Sequence, residues 1–241
     1  MKLDDSDWVN NLFKSTAEDW TPTTARDSAQ VLFVPFSDDE NTSVHCATVL
    51  SNAELVSADT FLNANDKNHF IQRRAFRKYC GARALGSTRA LRNIEFYETD
   101  KGRPYLSSVR GLWFSFSSCQ LGFLGAWSFT HGIGTDIEDQ TRNIEATELA
   151  HEFFSENEAR IVDEATDATR LRTFFNLWSL KESALKSIGE GLPFGLDAFE
   201  FDLSPDVHLN HAPVQYGGAG RFQAHLIERD NTCAALVTHL L

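Results

Sequence analysis

One arrangement of elements is written twice along this 241-residue chain. The first runs from the apolar strand Val31-Leu32-Phe33-Val34-Pro35-Phe36, through a short helix and a longer one near 66–85, to Gly86 and the strand Ile94–Glu98. The second runs from a strand at Gly132–Glu138, through helices near 144–153 and 156–164 and a long helix near 168–188, to Gly189, Gly191 and the strand Phe199–Asp202. Each long helix follows a capping-box pattern, Ser51-Asn52-Ala53-Glu54 in one case and Ser155-Glu156-Asn157-Glu158 in the other. The residue-by-residue match is weak, so a duplicated unit and a chance likeness both stay open. Either way the mixture of period-two and helical patterns specifies an α+β fold. We expect two similar α/β halves in a pseudo-twofold monomer, 1–130 and 131–241, with a ligand in the cleft between them.

Further strands are expected at Val44–Leu50, Leu112–Ser118 and Gly122–Trp127, and the turn Asp100-Lys101-Gly102-Arg103-Pro104 separates two of the later ones. Residues 1–29 show no clear periodicity, and Ala198–Leu240 reads as short strands with glycine and proline turns.

Charge limits the function classes. A net charge of −12 argues against sequence-independent nucleic-acid binding, which depends on lysine and arginine neutralising phosphates. It does not exclude a small phosphorylated ligand, because local charge decides that. Cys46, Cys80, Cys119 and Cys233 form no C-x-x-C pair, which argues against a zinc site and for reduced thiols. Met1–Asp7 is acidic and unlike a signal peptide, and no apolar run approaches the ~20 residues of a membrane helix. A cytoplasmic protein is the expectation.

Two constellations carry chemistry. In Gly134-Thr135-Asp136-Ile137-Glu138-Asp139 the side chains of Asp136 and Glu138 share one face of a strand. Paired carboxylates repel unless a cation shares them, and a hard divalent ion with phosphate ligands would do so. A solvated strand end is the alternative. In Phe174-Phe175-Asn176-Leu177-Trp178-Ser179-Leu180-Lys181-Glu182-Ser183-Ala184-Leu185-Lys186, Glu182 and Lys186 are spaced i, i+4. They read either as a surface ion pair or, on so apolar a helix, as charges bound to something.

Together, G-x-D-x-E followed by W-S-L-K-E-S-A-L-K resembles the paired signature of the 4'-phosphopantetheinyl transferases. Gly102-Arg103-Pro104 resembles that family's G-K-P turn, and Phe153-Phe154-Ser155-x-x-Glu158 also fits. The likeness covers roughly 50–203, and the length resembles the larger, monomeric surfactin-type branch. The resemblance implies transfer of phosphopantetheine from coenzyme A, the co-substrate, to a serine of an apo acyl or peptidyl carrier protein, with release of 3',5'-adenosine bisphosphate. It implies Mg²⁺, or the equally suited Mn²⁺, held by Asp136, Glu138 and Glu182. Lys186 would contact the phosphates and Glu182 would act as base, with Lys181 assisting. Arg103 and Arg74 would contact the nucleotide. The family's F-N-x-S-H run is here Phe114-Ser115-Phe116-Ser117-Ser118, so Ser117 persists and Ser118 stands where a histidine meets the nucleotide's phosphate region. A carrier with an acidic recognition helix would dock on a basic or apolar patch near Phe153–Asn157. Partners would include neither nucleic acid nor membrane. The rivals are a catalytically impaired coenzyme A or carrier-binding homologue and a metal-dependent phosphoanhydride hydrolase.

Overall fold

The computed structural model describes residues 5–86 and 90–241, so the first four residues of the acidic amino terminus lie outside it. In chain order the elements are α1 (Asp5–Thr16), β1 (Glu18–Asp19), β2 (Gln30–Pro35), α2 (Glu40–Ala47), α3 (Asn52–Ala58), α4 (Ala64–Ala84), β3 (Phe96–Glu98), β4 (Pro104–Leu106), β5 (Trp113–Cys119), β6 (Gly122–Ser128) and β7 (His131–Asp139). Then follow α5 (Ala146–Phe153), α6 (Glu156–Glu164), α7 (Asp167–Ser187), β8 (Glu200–Asp202), β9 (His208–His211), β10 (Phe222–Arg229) and β11 (Thr232–Leu240). The strands form sheets of order β1-β2-β6-β5 and β10-β11-β7, with two small hairpins, β3-β4 and β8-β9. Helix and sheet mix as an α+β fold requires.

Period-two alternation explains the layering. On β2, Leu32 and Val34 enter a core shared with Phe70, Ile71, Ala75 and Phe76 of α4. Val31 and Phe33, on the other face, meet Leu124, Ile133, Ile137, Ala234 and Leu236. That cluster takes side chains from both large sheets, so each central strand is buried on both faces and reads as a near-continuous apolar run. A third core lies under α7, with Phe174, Phe175, Leu177, Leu180, Ala184 and Leu185 against Cys233, Ala235 and Val237.

Both capping boxes form. Ser51 accepts from the Glu54 amide and Ser155 from the Glu158 amide, and each glutamate reaches back to its cap. Each also serves a second purpose. Glu54 lies 3.3 Å from buried Lys78 of α4, which donates to the Ile94 carbonyl at 2.7 Å. Glu158 lies 2.6 Å from buried Lys181 of α7, which donates to the Leu196 carbonyl at 3.0 Å. Both long helices contain 21 residues.

Two expectations are corrected. Val44–Leu50 is not a strand: α2 runs through Ala47 because Asp39 caps it, accepting from the Asn41 amide at 3.0 Å, and Val44 is 64% exposed. A strand filling an interior could not leave that valine in water. Residues 5–16 form α1, whose Val9 and Phe13 are buried against α4. The carboxy-terminal region is also more regular than expected, since β10 and β11 have eight and nine residues. Among the described residues no helix is long and apolar enough to cross a membrane.

Candidate active site

Gly132, Gly134, Asp136 and Glu138 share the face of β7 turned towards α7. The glycines are what let α7 come so close. A Cβ added at Gly134 would stand 1.8 Å from the Ser183 carbonyl oxygen, and one at Gly132 would stand 2.4 Å from that of Ser187. With the backbones in contact, Glu182 and Lys186 of α7 arrive beside the two acids of β7. The Lys186 ammonium donates to Asp136 Oδ1 at 2.7 Å and to the Thr135 carbonyl at 3.3 Å, and lies 3.7 Å from Glu182. The Ser117 hydroxyl on β5 also donates to Asp136 Oδ1, at 2.7 Å. Asp136 Oδ2 is buried and has no partner. Glu138 turns to Arg142, whose guanidinium lies 2.6 Å from its carboxylate.

The electrostatics follow from this crowding. Burial, then the neighbouring Asp136 charge, pushes Glu138 up to about 7. Burial likewise raises Glu182, partly offset by Lys186. Burial would lower Lys186, but Asp136 and Glu182 outweigh it and raise it. Among the described residues no three acidic, histidine or cysteine side chains converge as a ready-made metal cage. Asp136 and Glu182 meet through Lys186 and Glu138 is held by Arg142, so internal cations balance the acids. The donor set still suits a hard divalent ion. It is all oxygen, and Asp136 Oδ2 is a buried acceptor with nothing to accept from.

Beside this cluster lies a cleft of about 200 Å³. Lys101 to Pro104 and Arg77 form one side with Phe114 to Phe116, and Glu182, Lys186 and Gly189 to Gly191 form the other. The far side depends on how α7 ends. Gly189 adopts φ 77°, and the Glu190 amide returns to the Leu185 carbonyl at 3.0 Å, a Schellman closure. Glu190 is thereby set to pair with Lys101 across the cleft and to accept from the Tyr216 hydroxyl at 3.0 Å. The Arg103 guanidinium stacks 3.9 Å over the Trp113 ring.

Not every expected residue is here. Asp136, Glu182, Lys186, Arg103 and Ser117 come together, with Glu138 at the edge. Lys181 does not: it is fully buried on the other side of α7, paired to Glu158 and donating to the Leu196 and Phe199 carbonyls. One residue of a helix separates it from Glu182, but that step turns its side chain by about 100° into the core. Arg74 lines an adjoining groove with Glu54, Phe70 and Glu95, 4.0 Å from Glu98, while Arg77, one turn on, lines the cleft. Ser118 accepts from Arg73 at 3.3 Å. The Phe153–Asn157 turn is not the basic or apolar patch expected. Phe154 is buried, Phe153 packs edge-on against Trp178, and Glu152 and Glu156 face solvent. Sequence reasoning missed Arg77, Arg142 and Ser115. Ser115 accepts from the Thr135 amide at 2.9 Å and so ties β5 to β7. Their signal was weak: a basic helix face without an obvious inner side, and short polar residues within a strand.

A glycine-spaced acid pair, a helix bringing glutamate and lysine to it, and an adjoining cleft edged with cations together make a site whose chemistry suits a phosphorylated ligand. The sequence profile of the 4'-phosphopantetheinyl transferase superfamily matches residues 132–237, the segment that carries this acid pair and helix. HetI of Nostoc sp., a 4'-phosphopantetheinyl transferase, is 26% identical over 90% of this chain and 92% of its own length. The 4'-phosphopantetheinyl transferase Sfp of Bacillus subtilis is 34% identical over 47% of this chain and 50% of its own. Among solved structures, the holo-[acyl-carrier-protein] synthase of Thermotoga maritima covers 45% of this chain and 62% of its own, at 24% identity and a TM-score of 0.37. Residues 132–237 thus carry the profile of the 4'-phosphopantetheinyl transferase superfamily, and the likeness to HetI along most of the chain is that of a transferase enzyme.

Proposed function

We propose that this enzyme transfers the 4'-phosphopantetheine group of coenzyme A to a serine of an apo carrier protein, with Mg²⁺ or Mn²⁺, releasing 3',5'-adenosine bisphosphate. The observation that carries the reading is Lys186. Its ammonium bridges Asp136 and Glu182 at the wall of the cleft, where a pyrophosphate could take the place of those carboxylates. The cleft is small enough to enclose the pyrophosphate region and leave the ends of coenzyme A at the surface.

Asp136, Glu138 and Glu182 would hold the metal. When bound, the ion would neutralise charge on the phosphates and polarise them towards attack. The chain's own residues do the rest. Lys186 turns to a non-bridging phosphate oxygen and compensates the charge that builds up during transfer. Arg103, stacked on Trp113, holds the nucleotide side of the cleft. Glu182 accepts the proton of the carrier's serine, for which a carboxylate raised by burial is suited. The serine oxygen bonds to the β-phosphorus. The bond from that phosphorus to the bridging oxygen breaks, and the electron pair leaves with the adenosine bisphosphate. Ser117 keeps Asp136 oriented.

Both walls of the cleft belong to one chain, which supports a monomer. The matching capping boxes, buried lysine pairs and long helices support an internal duplication with halves at 1–130 and 131–241.

The test is intact-mass spectrometry of an apo carrier protein incubated with this enzyme, coenzyme A and Mg²⁺. The carrier should gain one phosphopantetheine, and Asp136→Ala or chelation should abolish the gain. Release of phosphopantetheine without carrier modification would instead mean a hydrolase. Coenzyme A binding with no product, across acyl and peptidyl carriers, would mean a binding homologue.

A further inference from the structure

The three acids of the site are served by two cations of the chain itself. Lys186 lies 2.7 Å from Asp136 and 3.7 Å from Glu182, and Arg142 lies 2.6 Å from Glu138. The turn after β7 puts Arg142 there. The Asp139 carboxylate accepts from the Thr141 amide at 2.8 Å and from the Thr141 hydroxyl at 2.6 Å. This Asx turn folds the chain back and brings Arg142 beside Glu138, with its guanidinium 5.7 Å from the Phe175 ring centroid of α7. The Arg142 side chain is 48% exposed and that of Glu138 only 15%, so the guanidinium approaches from the solvent side.

That exposure separates this pair from the one behind α7. Lys181 and Glu158 are both fully buried, and neither charge can leave the other. A guanidinium at the surface can swing into water with little loss, because exposed ion pairs contribute little stability. Glu138 is therefore held by a partner that can be exchanged, on the same strand face as Asp136, whose Oδ2 is buried with no donor. Charge decides what exchanges with it. With all three carboxylates ionised, three acids against two cations leave one net negative charge, a weak attraction for a free divalent ion. An ion that arrives with a pyrophosphate leaves that balance unchanged. A guanidinium still in contact with Glu138 would repel an ion held by the same carboxylate.

We propose that Arg142 is a placeholder cation: it holds Glu138 while the site is free of metal and withdraws when the ion and the pyrophosphate enter together. Arg142 is thus a positioning residue that keeps affinity for the metal alone low and makes it depend on coenzyme A. This rests on the transferase reading, with Asp136, Glu138 and Glu182 as the metal's donors.

The experiment titrates Mn²⁺ into the wild-type enzyme, Arg142→Gln and Arg142→Lys, with and without one equivalent of coenzyme A. Uptake is read from the loss of the free-ion electron paramagnetic resonance signal, against a blank of coenzyme A alone. Removing the guanidinium should tighten Mn²⁺ binding by the free enzyme about three- to tenfold. Binding with coenzyme A present should stay the same, so the coupling between ion and coenzyme A should fall by that factor. Arg142→Lys keeps the charge and should stay close to the wild type. An Arg142→Gln enzyme with a wild-type urea midpoint whose Mn²⁺ affinity without coenzyme A is unchanged or weaker would overturn the proposal. A wild-type enzyme that takes up no Mn²⁺ either way, or no more than Asp136→Ala does, would overturn the metal reading of the site itself, a separate result.

Discussion

Lys181 and Lys186 show how position along one helix separates structure from chemistry. Both are lysines of α7, five residues apart, and both sit beside a glutamate. Lys186 faces the cleft and can exchange its partners for a ligand. Lys181 is sealed in the core against Glu158, and nothing can replace that partner. Removing one member of a buried pair leaves the other charge uncompensated, at a cost of about 3–5 kcal/mol. Lys181→Met should therefore lower the unfolding free energy in urea by roughly that amount, while the fraction still folded binds coenzyme A with unchanged affinity. Lys186→Met should act mainly on binding: coenzyme A affinity should fall by at least about tenfold, with a smaller loss of stability than Lys181→Met because Lys186 is 28% exposed. If Lys181→Met weakened nucleotide binding in folded protein, its place in the structural core would be wrong.

At the scale of elements, the site depends on how closely α7 lies on β7. Gly134 sets that distance, because its missing Cβ leaves room for the Ser183 carbonyl. Gly134→Ala should push the helix off the strand, draw Lys186 away from Asp136 and destabilise the fold by about 1–3 kcal/mol as overpacking does. Carrier modification should fall with it. Gly220→Ala is the matched control: its new Cβ meets nothing within 4 Å, and its φ lies outside the left-handed region. Thermal melts and the mass assay on the two variants test this, and equal behaviour would refute the role given to Gly134.

For the whole molecule, the cluster between the two large sheets is what joins them. Leu236 is fully buried there, with Val31, Phe33, Leu124 and Ile137. A core shared by both sheets should make them unfold together, so a calorimetric scan should show one transition whose van't Hoff and calorimetric enthalpies agree. Leu236→Ala should cost about 2–5 kcal/mol and lower the temperature of that single transition. Two separated transitions in the wild type would mean that the two sheets unfold independently. The charge distribution also belongs to this scale. Residues 73–110 hold ten lysines and arginines against three acids, within a chain of net charge −12. On the proposed function, this local excess of cations would draw an acidic carrier although the total charge repels it.

Much of this was legible in the sequence alone because it is local. Short apolar-rich runs marked β2, β5, β6 and β7, both capping boxes formed where their serine and glutamate stood, and α4 and α7 fell within one or two residues of their expected bounds. Asp136 with Glu138, and Glu182 with Lys186, could be paired by spacing because strand and helix periods put each pair on one face. Tertiary structure decided what depends on two elements meeting. Only the packing of α7 on β7 brought the two pairs together, and only the direction of each helix face sent Lys181 inward, Arg77 to the cleft and Arg74 to a neighbouring groove. The same limit misread Val44–Leu50, where an apolar-rich stretch fits a strand or a helix equally until a cap and a packing partner choose between them. Local patterns state which face a residue occupies; what that face looks at is set by contacts distant in sequence.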